Sequence, residues 1–361
     1  MGYASAMKLF APLIAGLVWL LAETAPARAA GPVPDLPEWL PPPVGWERLS
    51  PRKAELGRRL FYDTRLSVTG DVSCATCHRQ DRAFSDPRGV SAGAHGDRLR
   101  RNAPSLANVA YRPVLLWANP DVRRLEDQLL RPLFGTDPPE MGMNGREDQL
   151  RRLFRRDETY RRMFDRAFGA GGDRLEQMAA AVAEFQRTLI SARSAYDRFR
   201  AGDRLAISPA ARAGADLFFS ERLQCFQCHG GLHFTDTYRD RRLAFDEAAF
   251  HNTGLGGPDD PGLAAVTGRA ADRGRFRTPS LRNVAVTGPY MHDGSVETLR
   301  GVIELYATGG RPDGGPGRSS LVPGFGISEN EIRRLIAFLE SLTDEAFLTN
   351  PVYADPFPAG K

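Results

Sequence analysis

Lysine is almost missing from this chain. Lys8, Lys53 and Lys361 are its only lysines, so the 48 basic side chains are nearly all arginine. The net charge is only +4 and the arginines are not gathered into blocks, which argues against a nucleic-acid partner. Arginine presents a planar fork suited to carboxylates and phosphates, so buried anionic groups of a cofactor would account for it equally well. Long apolar runs are also missing. The one candidate, Leu9 to Ala22 behind Lys8, falls short of the roughly 20 residues a comfortable membrane span needs. Ala27-Arg28-Ala29 follows as a small-x-small cleavage site. Residues 1–30 therefore read as a signal peptide, with export to the periplasm and no membrane span in the mature chain. Strand-like alternation is scarce as well, and helical periodicity dominates.

Cysteine is limited to four residues, and all four lie in two copies of one motif: Cys74-Ala-Thr-Cys77-His78 and Cys225-Phe-Gln-Cys228-His229. Two cysteines three apart on a helical turn can reach the two vinyl groups of one porphyrin. The adjacent histidine then meets the iron from the same side. A shared zinc site or redox disulfides would use the same residues. However, two such motifs in an exported chain point to two covalently attached haem c groups, with His78 and His229 as iron ligands.

Both motifs sit inside a longer repeat. "GRRLFYDTRL" at Gly57 matches "GADLFFSERL" at Gly214, and a Cys-x-x-Cys-His follows each. Phe84-Ser85-Asp86 then matches Phe234-Thr235-Asp236, and "NAPSLANVA" at Asn102 matches "RTPSLRNVA" at Arg277. Four blocks in one order indicate an internal duplication: an N-terminal half over 31–205 and a C-terminal half over 206–361. A proline-rich stretch from Gly31 to Pro51 reads as an extended surface arm. Periodicity predicts helices over 146–164 and 175–191, and a third over 327–342 with Ser328 and Glu331 as a capping box. Residues 245–275, rich in glycine, proline and aspartate, read as a long loop. The fold class is all-α: two cytochrome c-like domains with long loops.

"GPYMHDGSVETLRGVIELYATGG" (288–310) resembles the bacterial di-haem cytochrome c peroxidase and MauG family. The resemblance covers nearly all of the mature chain. In the peroxidase branch a methionine 14 residues after the histidine of this motif ligates the second haem. Counting from His292, that position is Tyr306, as in the MauG branch. Tyrosinate is a hard anionic ligand that stabilises oxidised iron. "LEDQLLRPL" and "DPPEMGM" resemble the family's segments over the first iron, which implies Gln128, Pro132 and Glu140 there. Trp117 corresponds to a tryptophan that relays charge between the haems. A calcium ion is implied at the Asn102 side chain and the backbone carbonyls of Arg277 and Pro279, oxygen donors that suit it. His95 lies near the position of a loop histidine that closes the first haem in the peroxidase branch; its Gly-Ala-His-Gly turn reads instead as solvated. His292 is implied to pack near the second haem without ligating. His233 is read as a propionate partner or an exposed side chain, and His251 has no evident role.

"WANP", "FFSERLQCFQCHGG", "FHNTGL" and "PYMHDGS" are most similar to the MbnH-type, MauG-like branch, which uses peroxide to oxidise a partner protein's tryptophan to kynurenine. Leu223 departs from MauG, which has a tryptophan there for handing charge to its substrate, so the exit route must differ. The resemblance implies an enzyme that takes hydrogen peroxide, forms a high-valent di-haem state and oxidises a tryptophan on a partner protein. A peroxidase drawing electrons from a small cytochrome or cupredoxin is the alternative. A non-catalytic di-haem electron carrier is a third reading; it requires both irons to be closed by protein ligands.

Overall fold

The structure is a computed structural model, described here for residues 1, 33–243, 248–255, 259–311 and 317–357. The expected signal peptide lies outside the described residues.

The helices run in chain order as α1 (Pro51–Tyr62), α2 (Cys74–Cys77), α3 (Leu125–Phe134), α4 (Glu147–Arg156), α5 (Glu158–Phe168), α6 (Arg174–Arg187), α7 (Ala195–Arg200), α8 (Pro209–Phe218) and α9 (Phe226–His229). They continue as α10 (Ala264–Thr267), α11 (Leu299–Ala307), α12 (Glu329–Glu340) and α13 (Glu345–Thr349). The molecule is mostly helical. Among the described residues, one sheet pairs β1 (Phe250–Asn252) with β2 (Arg275–Arg277), antiparallel, with His251 opposite Phe276. This sheet, together with α10, gives order to part of the expected long loop.

Two of the apolar clusters among the described residues form the main cores. The first is built on Leu56, Leu60 and Phe61 of α1 with Met178, Val182 and Phe185 of α6. The second is built on Ala211, Ala215 and Phe218 of α8 with Ile332, Leu335 and Phe338 of α12. A glycine lets each helix pair close. A Cβ on Gly57 would lie 1.8 Å from the Ala181 carbonyl oxygen, and one on Gly214 would lie 1.9 Å from that of Arg334. The cores do not follow the chain in simple order. Phe347, Leu348 and Tyr353, from the end of the chain, complete the first core.

Two expectations shift. The periodic stretch 146–164 is two helices, because Asp157 caps α5 by accepting from the backbone N–H groups of Thr159 and Tyr160. An aspartate is a better helix start than a helix interior residue, and it breaks the run. The proline-rich arm is anchored rather than loose: Leu40 is buried, and the Pro41 carbonyl accepts from the Tyr111 hydroxyl at 2.9 Å.

Candidate haem-binding sites

The two Cys-x-x-Cys-His segments fold alike. Ser73 starts α2 with a capping box to Thr76. The chain after α2 then turns through Phe84, whose φ of 59° is in the left-handed region. That turn aims the Phe84 carbonyl at His78 Nδ1, 2.8 Å away. In the second half Phe234, at φ 51°, presents its carbonyl to His229 Nδ1 at 3.1 Å. A carbonyl can only accept, so each Nδ1 carries the proton and each Nε2 is left as a free donor of electrons to a metal. Both rings are half-buried, and the desolvation holds each imidazole below its ordinary pKa, in the neutral form a ligand needs. All four cysteines are free thiols. Among the described residues the two pairs do not converge on one metal-sized cluster, which removes the shared zinc reading.

A large cavity opens beside the second motif. Cys225, Cys228 and His229 line one part of it, and Tyr306 of α11 lines another. Burial, and secondarily the nearby sulfurs, push the Tyr306 phenol well above its ordinary range, so a phenolate there requires a cation to hold it. Met291 and His292 also line this cavity, as does Leu223. His292 stacks on Phe276 with ring centroids 3.7 Å apart.

The same cavity extends to Trp117 and to two arginines, Arg112 and Arg277. Both arginines are buried, at 8 % and 2 % exposure, and neither has a carboxylate partner among the described residues. Arg112 donates to the Ser105 carbonyl at 2.6 Å. Among the described residues, Arg277 Nε and Nη2 have no hydrogen-bond partner, and neither does His233 Nε2. Burial pulls the Arg112 guanidinium down to about 10 and that of Arg277 further still, with Arg112 as a second cause. Unpaired buried cations are expensive. Anionic groups such as haem propionates, entering this seam, would pair with them. The orphaned donors and the Cys-x-x-Cys-His ligand sets together fit two attached haems.

Trp117 is 8 % exposed. Its Nε1 donates to the Asn102 carbonyl at 2.9 Å, its own carbonyl accepts from Arg277 N at 2.8 Å, and the Arg277 guanidinium lies over its ring. Asn102 is buried with its side chain facing the Arg88 and Gly89 carbonyls. Arg277 and Pro279 line the cavity nearby.

Near the first motif, Gln128 and Pro132 are one turn apart on α3 and so share a face. Met141 N donates to the Pro132 carbonyl at 2.8 Å, which lays the Glu140 segment against that helix. The Glu140 carboxylate bears on the sulfurs of both Cys74 and Cys77, and burial raises its pKa. His95 is exposed, in a turn tied to the Glu140 carbonyl through Ala94 N at 2.7 Å. His233, by contrast, is buried at 2 % exposure, so its solvent-exposed reading falls away. The sequence did not single out the Arg112 and Arg277 guanidinium groups, or a pair formed by His251 and Asp236 at 2.6 Å. The scarcity of lysine was the one hint of the first, and the matched Asp86 and Asp236 the hint of the second.

A family model described as di-haem cytochrome c peroxidase matches residues 51–205. The methylamine utilization protein MauG of Methylorubrum extorquens is 36 % identical over 321 residues, covering 87 % of this chain and 85 % of that one. The cytochrome-c peroxidase IdrP1 of Denitromonas iodatirespirans is 34 % identical over 372 residues, covering 92 % of each. A crystal structure of a MauG-like protein associated with microbial copper homeostasis aligns with a TM-score of 0.85 and 41 % identity, over 90 % of this chain and 99 % of that one.

Proposed function

This chain belongs to the di-haem cytochrome c peroxidase and MauG family and is a haem-dependent peroxidase-type oxidoreductase; from that premise we propose that it uses hydrogen peroxide to oxidise a tryptophan of a partner protein. Cys74 and Cys77 would hold one haem with His78 on its iron, and Cys225 and Cys228 the other with His229. Bound there, the haems supply the redox chemistry that takes two electrons from the partner for each peroxide reduced. Two protons complete the conversion of peroxide to two waters.

The protein's own groups manage the protons and the charge. Glu140, half-buried and with its pKa raised, carries a proton from one peroxide oxygen to the other, as O–O cleavage requires. Gln128 orients the peroxide by hydrogen bonding. Pro132 lacks an N–H, so the Gln128 carbonyl has no donor from that turn of α3. Trp117 relays charge between the two halves. Tyr306 would hold the second iron as an anion. Asn102, with the carbonyls of Arg277 and Pro279, binds calcium and stiffens the seam around Trp117. Residues 1–30 direct export to the periplasm, and the halves 31–205 and 206–361 arose by duplication of a cytochrome c-like domain.

The observation that carries this reading is Tyr306 in the wall of the cavity that holds Cys225, Cys228 and His229, at the place where the peroxidase branch has methionine. The likeness to a MauG-like protein favours the same branch. The relative IdrP1, named a cytochrome-c peroxidase, favours a second reading, in which a small cytochrome or cupredoxin supplies the electrons. Mass spectrometry of an exported, tryptophan-bearing candidate partner, after incubation with the holoprotein and peroxide, separates the two. Oxidation of one tryptophan is expected. An intact tryptophan, with peroxide consumed only when a reduced cytochrome or cupredoxin is added, would establish the second reading instead.

A further inference from the structure

The matched aspartates of the two halves each meet a cation beside the second cysteine of their motif, and the two cations differ. In the first half, Arg88 grips Asp86 through Nε at 2.9 Å and Nη2 at 2.8 Å, and Nη2 lies 3.9 Å from Cys77 Sγ. In the second half, the Asp236 backbone N–H donates to the Cys228 carbonyl at 2.7 Å. Its carboxylate is held by Thr237 Oγ1 at 3.0 Å and by His251 Nε2 at 2.6 Å. Atoms of Cys228, Asp236 and His251 all lie within 4.8 Å of one another.

His251 reaches this place from β1, and Phe276 stands opposite it on β2. Opposed residues in an antiparallel pair share a face, and both line the cavity beside Cys228 and His229. The two halves also differ in access to water. Arg88 is 47 % exposed, whereas His251 and Asp236 are 17 % and 20 % exposed. Solvent screens a charge at Arg88 strongly and one at His251 far less. Hydrogen bonds to Asp236, the larger cause, and to the Cys228 thiol lift the His251 pKa to about 10; the Asp236 bond, which a thioether at Cys228 leaves in place, favours the imidazolium.

We propose that His251 and Asp236 form a charged pair that sets the reduction potential of the haem attached through Cys225 and Cys228, with the His251 cation at the Cys228 edge raising that potential. It is a positioning pair: neither residue ligates the iron, and both act on it through a poorly screened field. A cation near the porphyrin favours the reduced iron and an anion the oxidised iron, so the two members oppose each other. In the first half, Arg88 and Asp86 hold the corresponding place; Asp86 is buried there, and water weakens the influence of Arg88 alone.

The proposal rests on haem attachment at both motifs, which the haem content of each purified variant checks independently. The test is a redox titration of the holoprotein with both haems attached. In His251→Gln the carboxylate stands alone, and one of the two midpoint potentials should fall while the other holds. In His251→Arg a permanent cation is restored, and the midpoint should return toward the original. In His251→Arg combined with Asp236→Asn the cation stands alone, and the same midpoint should rise above the original. An order of midpoints that follows the charge of the pair supports the proposal. Midpoints that stay put, or that move in one direction in all three variants, would overturn it, since a purely structural role has no reason to follow charge.

Discussion

Glu140 is half-buried and Arg112 and Arg277 are buried, and loss of water means different things for these ionisable side chains. For Glu140, burial raises the pKa, which makes the carboxyl a better proton carrier near neutral pH. Replacing it with glutamine keeps the shape and removes the proton exchange. We expect Glu140→Gln to slow the reaction with peroxide by about 10²–10⁴-fold, read by stopped-flow absorbance, with haem content unchanged. For Arg277, burial leaves donors unsatisfied, which is costly until an anion arrives. Arg277→Met should therefore lower the thermal stability of the haem-loaded protein, by about 3–5 kcal/mol if it breaks a buried pair. In a chain that cannot attach haem because its four cysteines are serines, the same substitution should be neutral or stabilising. Thermal unfolding of both backgrounds checks this reversal of sign. At the residue scale the two Cys-x-x-Cys-His motifs were open to sequence reading because such a motif is local, and each forms a helical turn as expected. The pairing of His251 with Asp236 was not, because it depends on a strand pairing that no local pattern of residues announces.

The helix pairs α1–α6 and α8–α12 are the supports on which both motifs are mounted. Each is closed by one glycine against a backbone carbonyl of its partner. Alanine is ordinarily the better helix former, by about 0.5–1 kcal/mol. Here the contact wins, because the added methyl would meet backbone rather than a flexible side chain. Gly57→Ala and Gly214→Ala should each destabilise the protein by about 1–3 kcal/mol, seen as a lower unfolding temperature. An unchanged or raised temperature would mean the helices can move apart freely. The helices themselves were legible because their apolar faces repeat at helical spacing, and the capping box at Ser328 and Glu331 forms as read, with α12 spanning Glu329–Glu340. The split at Asp157 was missed because apolar spacing continues in phase across it, so that only the cap marks the boundary. The two short strands were missed because three-residue strands carry no alternation to detect.

Across the whole molecule, the end of the chain is committed to the beginning. Tyr353 is buried in the first core, its hydroxyl donates to the Thr188 carbonyl at 2.9 Å, and its own carbonyl accepts from Tyr62. Gln80 Nε2 also donates to the Asn350 carbonyl at 2.8 Å. No sequence pattern near residue 350 shows this, because the contacts span 165, 270 and 291 positions of the chain. Ending the chain after Asp344 would remove Phe347, Leu348 and Tyr353 from the first core, with each lost side chain worth about 1.5–3 kcal/mol of burial. We expect such a truncation to expose the first half to limited proteolysis well before the second; simultaneous cleavage of both halves would contradict that.

On the proposed function, the protein accepts both oxidising equivalents of peroxide itself and keeps them until a partner side chain delivers two electrons. The most direct measurement mixes the fully oxidised holoprotein with one equivalent of peroxide in the absence of any donor, then counts the retained equivalents by reductive titration. Two equivalents retained per molecule, with prompt loss of peroxide, is the expected result. Peroxide left unconsumed until one haem has first been reduced would contradict the claim and identify the protein as a donor-dependent peroxidase.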